Sequence, residues 1–238
     1  MTATSQHYAE CRLQATAEVT RFRLMRPAAL RAGQRLPAVL FLHGSGQRGS
    51  DNVAQLRHLP TWLAEPEARQ RFPCFVIAPQ CPSGASWIRG DRADLQTVTL
   101  IDVTPTAALH TALAALRQTM ADEPIDPQRV YLTGISMGGF GAWGLAQHVP
   151  DLFAALAPIC GGGDVRRAAA LAALPVWAFH GAGDDVVPVG HSRRMIEAVR
   201  SAGGAPRYTE LPGVGHASWD AAYYESGLLP WLFAQRRG

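Results

Sequence analysis

Lysine is absent from the 238 residues, and all 22 basic side chains are arginine. A Schiff-base aldolase, a pyridoxal-phosphate enzyme and a P-loop nucleotide binder each need a lysine amine at the reacting or phosphate-contacting position, so all three are excluded. Charge of one sign is scarce as well, because 19 acidic side chains leave a formal net charge of only +3. The arginines are dispersed apart from pairs such as Arg166-Arg167, Arg193-Arg194 and Arg236-Arg237. No basic stripe tracks a phosphate backbone, and nucleic acid is not an expected partner.

Cysteine is limited to Cys11, Cys74, Cys81 and Cys160, with no C-x-x-C pair, and the eight histidines include no H-E-x-x-H spacing. Reduced thiols are expected, and neither a metal nor an organic cofactor. Met1 to Thr20 has no basic segment followed by an apolar run, so neither a signal peptide nor a membrane span is expected and the chain reads as cytoplasmic. Hydrophobic residues make up 47% and charged residues 17%, which fits an ordinary globular core rather than a disordered chain. At about 150 residues per domain, the length fits one α/β domain better than two small ones.

Residues 1–16 read as an N-terminal tail and 17–238 as the domain. Ala17 to Met25 sets Val19, Phe22 and Leu24 against Thr20, Arg21 and Arg23, the alternation of an edge strand with one wet face. The runs Ala38 to Leu42, Cys74 to Ala78, Val130 to Thr133 and Val176 to Phe179 have no polar face. Strands buried on both sides look like this, so a mostly parallel central sheet with helices on both faces is expected. Two amphipathic helices are predicted, Thr106 to Met120 through Leu109, Leu113, Leu116 and Met120, and Val189 to Ala202 through Met195, Ile196 and Val199, the second stopped by Gly203-Gly204. A third begins after Ser136 and is crowded with Gly138, Gly139, Gly141, Ala142 and Gly144, which lets it lie close to the sheet. The 15 residues from Cys160 to Leu174 are too few for an inserted cap domain.

Val130 to Gly139 is a buried strand, then G-x-S-x-G, then the small-residue helix. A nucleophile elbow needs this strand-to-helix turn, since the serine adopts a strained backbone and flanking glycines avoid clashes. Ser136 is the predicted nucleophile. A serine hydroxyl attacks at neutral pH only when a base takes its proton, so an acid and a histidine should follow in the order Ser, Asp, His. His216 ends Leu211-Pro212-Gly213-Val214-Gly215, a strand end running into a glycine loop, and is the predicted base. His191, near a helix start, reads as solvated helix surface. The acid is Asp184 or Asp185 in Phe179-His180-Gly181-Ala182-Gly183-Asp184-Asp185-Val186-Val187-Pro188. Trp87 and Trp219 are candidates for an aromatic substrate-binding surface. The loops 47–52 and 79–87 follow strand ends, where ligands bind in open α/β sheets.

From about Leu36 to the C-terminus these motifs resemble the α/β-hydrolase superfamily, and more narrowly its capless carboxylesterase and dienelactone-hydrolase-like branch. The resemblance implies an α/β-hydrolase fold without a cap, and it places the acid on Asp184, four residues after the histidine of H-G-x-x-D-x-V-V-P. Phe41-Leu42-His43-Gly44-Ser45-Gly46 is similar to the family's oxyanion-hole loop, which implies a hole made by the backbone N–H groups of Ser45 and Met137. His43 reads as a loop-ordering residue. The expected function is hydrolysis of small, exposed carboxylic esters through an acyl-enzyme on Ser136, with no cofactor and a small-molecule ester as the substrate, and with neither nucleic acid nor membrane as a partner. Serine peptidase or thioesterase activity is the alternative within the fold, and a non-catalytic ligand-binding relative is the alternative outside catalysis.

Overall fold

The computed structural model describes residues 3–14, 20–90 and 102–238. In chain order the elements are β1 (Tyr8–Arg12), β2 (Arg21–Met25), β3 (Leu36–Leu42), α1 (Leu59–Leu63), α2 (Pro66–Arg71), β4 (Phe75–Pro79) and α3 (Ala107–Asp122). They continue with β5 (Ile125–Ile135), α4 (Met137–His148), β6 (Ala155–Ile159), β7 (Trp177–Gly181), α5 (Gly190–Ser201), β8 (Arg207–Leu211) and α6 (Leu228–Ala234). The strands form one sheet in the order β1-β2-β4-β3-β5-β6-β7-β8. β3 to β8 run parallel, and β1 and β2 pair antiparallel on one side.

Side chains alternate across this sheet into two cores. Ala38, Leu40 and Leu42 of β3 point to the face covered by α3, α4 and α5, where Leu109, Leu116, Phe140 and Met195 pack. Val39 and Phe41 point to the opposite face, where Leu59 and Leu63 of α1 meet Leu228 and Leu232 of α6. Because both faces are covered, the central strands need no polar alternation, as expected from their uninterrupted apolar runs. Thr106 caps α3, its hydroxyl accepting from the Leu109 N–H at 3.4 Å.

Two local expectations are corrected, and one strand is added to those expected. Residues 1–16 are not simply a tail, because Tyr8–Arg12 pairs with β2 residue by residue, Tyr8 opposite Met25 and Arg12 opposite Arg21. Tyr8 is 1% exposed and its hydroxyl donates to the Pro60 carbonyl at 2.9 Å. β2 is consequently an interior strand rather than the edge; of its predicted range, Ala17 to Val19 lies outside the described residues. The central strand β6 escapes sequence reading because it consists of Ala155, Leu156, Ala157, Pro158 and Ile159, with little β propensity and a proline as its fourth residue. Leu156 and Cys160 donate to the β7 side. Pro158 faces that same side, where pairing is sparse, Ile159 opposite Phe179 and an isolated bridge from Leu156 to Val176, so its missing N–H costs little.

The chain leaves β3 through α1 and α2 on one face to reach β4, then crosses through α3 on the other to reach β5. This reversal makes the C-terminal ends of β3 and β5 a topological switch point, where such sheets bind ligands.

Candidate active site

Ser136 sits on the turn between β5 and α4 with φ +54° and ψ −119°. A non-glycine residue here is strained and persists only where its surroundings enforce the conformation. They do so through two glycines. A Cβ on Gly134 would run into the Gly138 carbonyl oxygen, and one on Gly138 would run into the carbonyl oxygens of Leu42 and His43. The same close approach seats the first turn of α4 against the loop that follows β3.

The loops after β7 and β8 are laced together. Ala182 and Gly183 donate to the carbonyls of Leu211 and Val214, each at 3.0 Å, and a Cβ on Gly181 would collide with the Gly215 carbonyl. This crossing carries Asp184 to His216. His216 Nδ1 lies 2.8 Å from Asp184 Oδ2, and His216 Nε2 lies 2.9 Å from Ser136 Oγ. A carboxylate only accepts, so Nδ1 carries the imidazole proton and Nε2 is left to accept from the serine hydroxyl. Of the two aspartates left open by the residues, the structure brings Asp184 to the histidine, its side chain 0% exposed, while Asp185 is exposed.

Asp184 is held from several sides. Its Oδ1 accepts from the Val186 and Val187 N–H groups at 2.9 and 2.8 Å. Burial alone would raise its carboxyl, but hydrogen bonds from His180, His216 and those two amides outweigh it and hold the group well below the usual carboxylate range. His180 is the functional neighbour that sequence reasoning missed. It is completely buried, with Nε2 at 3.2 Å from Asp184 Oδ2 and 3.0 Å from the Val187 carbonyl. Both neighbours are acceptors, so Nε2 carries a proton. Nδ1 lies 2.7 Å from Ser192 Oγ, itself 2.9 Å from the Gly161 carbonyl. The signal was present as an i, i+4 His and Asp at a strand end.

The loop after β3 is ordered by His43, as expected. The Cys81 N–H donates to its Nε2 at 2.9 Å, so Nδ1 carries the proton and faces the Gly44 carbonyl at 2.6 Å. Burial pushes this imidazole down to about 4, which keeps it neutral. Ser45 opens a short 3₁₀ turn, Ser45–Gln47, and is exposed. Met137 is the first residue of α4, where an N–H has no intrahelical acceptor. Gln80 joins the two loops after β3 and β4, accepting from the Asn52 N–H at 2.7 Å and donating to Asp51 at 2.8 Å.

The two tryptophans part company. Trp219 is half-buried and packs edge-on against His216, with ring centroids 5.5 Å apart, and against His58 at 5.2 Å. Trp87 is 0% exposed, so it does not supply a surface to a substrate. Its indole N–H donates to the His43 carbonyl at 3.0 Å, and its ring fills the space left by the missing Cβ of Gly141. It supports the loop from behind. His191 is also corrected: it is 2% exposed, not solvated, with its ring against Phe140 and its Cβ beside Gly162, which lets the start of α5 approach closely.

Comparison with known proteins places the fold among esterases. A solved thermostable esterase superposes with a TM-score of 0.87 at 35% identity, covering 98% of this chain and 64% of its own. An uncharacterized secreted protein of Arthroderma benhamiae is 29% identical over 82% of this chain, which spans only 22% of that protein. A probable inactive carboxylesterase of Oryza sativa subsp. japonica is 28% identical over 84% of both chains. No helix among the described residues is long and apolar enough to cross a membrane. The dienelactone hydrolase family model matches residues 72–222, a stretch that contains the elbow, the aspartate loop and the histidine loop, and the chain belongs to the dienelactone hydrolase family.

Proposed function

We propose that the protein is a serine hydrolase cleaving carboxylic esters, with Ser136 as nucleophile, His216 as general base and acid, and Asp184 as the group that orients and stabilises the imidazole. The observation that carries this reading is the unbroken relay from Ser136 Oγ through His216 to Asp184, at 2.9 and 2.8 Å. Ser136 Oγ adds to the ester carbonyl carbon while its proton passes to His216 Nε2. The carbonyl oxygen, now an oxyanion, is received by the N–H groups of Ser45 and Met137, each such donor being worth about 10²- to 10³-fold in rate. The carbon–oxygen bond to the alcohol then breaks, His216 returning the proton to the leaving oxygen, and a water activated by the same imidazole hydrolyses the acyl-enzyme.

Small or exposed esters fit this site best. The 15 residues from Cys160 to Leu174 form no lid domain; Val165–Leu171 is a single 3₁₀ stretch, and Trp219 gives the histidine side an aromatic edge. The four free thiols support a reducing compartment, and we place the chain in the cytoplasm, a reading that cell fractionation tests. For the chemistry, a fluorophosphonate probe is decisive. Labelling of the wild-type protein that disappears in Ser136→Ala supports the assignment, and labelling that persists in that variant overturns it. Turnover of p-nitrophenyl esters beside a thioester and a peptide then ranks the leaving groups by kcat/KM.

A further inference from the structure

Directly after β6, Cys160 takes a positive φ of +41° and is 0% exposed. The proposed hydrolysis gives its thiol no role. Nevertheless one donor atom each of Cys160, Asp184 and His216 lies within 4.8 Å of the other two. Ser218, also 0% exposed, turns its hydroxyl toward the Cys160 thiol and has no nitrogen or oxygen partner among the described residues. Thiol, imidazole and carboxylate are a donor set suited to zinc-like cations, whose bonds of about 2.0–2.3 Å place tetrahedral ligands about 3.5 Å apart. Side-chain rotations of about 1 Å close that gap.

We propose that Cys160, Asp184 and His216 form a binding site for a soft divalent cation such as Cd²⁺ or Zn²⁺, and that its occupancy switches the hydrolase off. The cation takes the His216 Nδ1 lone pair, so the single proton of the neutral imidazole moves to Nε2. Nε2–H then faces Ser136 Oγ as a donor and is unable to accept the serine proton. The Cys160 thiol releases its proton to solvent, and one dication, one thiolate, one carboxylate and a neutral imidazole leave the site without net charge. The Ser218 hydroxyl or a water completes four-coordination. Hard ions such as Mg²⁺, which prefer oxygen donors, are not retained. The switching consequence rests on the proposed hydrolysis, whereas the binding does not.

Calorimetric titration of CdCl₂ into Ser136→Ala protein tests the binding alone. One Cd²⁺ per chain is expected, bound at least 100-fold more tightly than by the double variant Ser136→Ala, Cys160→Ser, with no response to MgCl₂. Equal affinity in the two proteins overturns the site. Cys160→Ala, checked by circular dichroism, serves as the second variant if the serine replacement fails to fold. Hydrolysis of p-nitrophenyl acetate then reads the switch. Wild type should be inhibited stoichiometrically and recover with a chelator, while Cys160→Ser keeps its basal rate and tolerates at least 100-fold more Cd²⁺. Inhibition of wild type and Cys160→Ser at the same concentration overturns the proposal. Tight Cd²⁺ binding in a protein without esterase activity would sink the hydrolase reading and leave the cation site standing.

Discussion

His180 Nε2 reaches within 3.2 Å of the same Asp184 oxygen that accepts a hydrogen bond from His216 Nδ1 at 2.8 Å. Two imidazoles therefore share one carboxylate oxygen, one bridging to Ser136 and the other anchored through Ser192 to the strand-end backbone. In the proposed reaction His180 would touch no reacting atom and would act through Asp184, as a positioning residue. Removing a hydrogen bond to a charged group costs about 1.5–3 kcal/mol. His180→Ala should lower kcat by about tenfold or more with KM changed less than twofold, and His180→Gln, which keeps an N–H near the Nε2 position, should recover most of the loss. Unchanged kcat in the alanine variant would remove His180 from the relay.

The choice between neighbouring aspartates gives a sharper contrast. Asp184→Asn leaves His216 without an acceptor that fixes its tautomer, and kcat should fall by about 10³- to 10⁴-fold. Asp185 is exposed, and Asp185→Asn should change kcat by less than twofold. Steady-state kinetics on a p-nitrophenyl ester measures both.

Much of this arrangement is legible in the residues, for reasons that also explain where it is not. β3, β4, β5 and β7 are readable because strands buried on both faces must be apolar without alternation, and the elbow is readable because Gly134 and Gly138 have no substitute at its clash points. β1 hides because only Tyr8 of its five residues is fully buried. Its order comes from long-range pairing with β2, which no local pattern records. β6 hides because its alanines and proline are tolerated by a sparse neighbouring ladder. Trp87 and Trp219 have equivalent positions in sequence, each near a strand-end loop, and what separates them is the missing Cβ of Gly141, a contact 54 residues away from Trp87. His180 shows the same limit from the other side: its spacing to Asp184 is visible, but the inward turn of its ring is tertiary.

His43 predicts how stability responds to acid. Burial holds its folded-state value at about 4, below the ordinary histidine value of about 6.5. Between those two values the unfolded chain binds a proton that the folded protein refuses. The stabilisation is therefore complete above about pH 6.5 and is lost progressively as pH falls toward 4. The loss by pH 5 should be about 2 kcal/mol. Urea midpoints at pH 7 and pH 5 measure it, and His43→Asn, although less stable overall, should show a shallower decline across that window.

The glycines of the elbow make a prediction about folding rather than chemistry. A methyl group at Gly138 would meet backbone oxygens of Leu42 and His43, which have no flexible end to move aside. Gly138→Ala should cost about 3 kcal/mol or more, in the range of severe overpacking, and lower the thermal midpoint by several degrees. Gly46, with open space around its Cβ position, supplies the control, because Gly46→Ala should leave the midpoint nearly unchanged.

The separation of the two tryptophans can be read from stability and kinetics together. Trp87 fills a sealed space between α4 and the loop after β3, so Trp87→Ala leaves a cavity and strips the His43 carbonyl of its donor, at a cost of about 3–5 kcal/mol. Trp219 is partly exposed and borders His216, so Trp219→Ala should cost much less stability. Its effect should appear instead in kcat/KM, and more for esters with an aromatic acyl group than for acetate, because in the proposed site the indole edge would border an acyl group bound beside His216. Thermal unfolding and kcat/KM for a benzoyl and an acetyl ester, measured on both variants, test the pair. Equal losses of stability in the two variants, or equal kcat/KM losses for the two esters in Trp219→Ala, would contradict the placement of Trp219 at the site and Trp87 behind it.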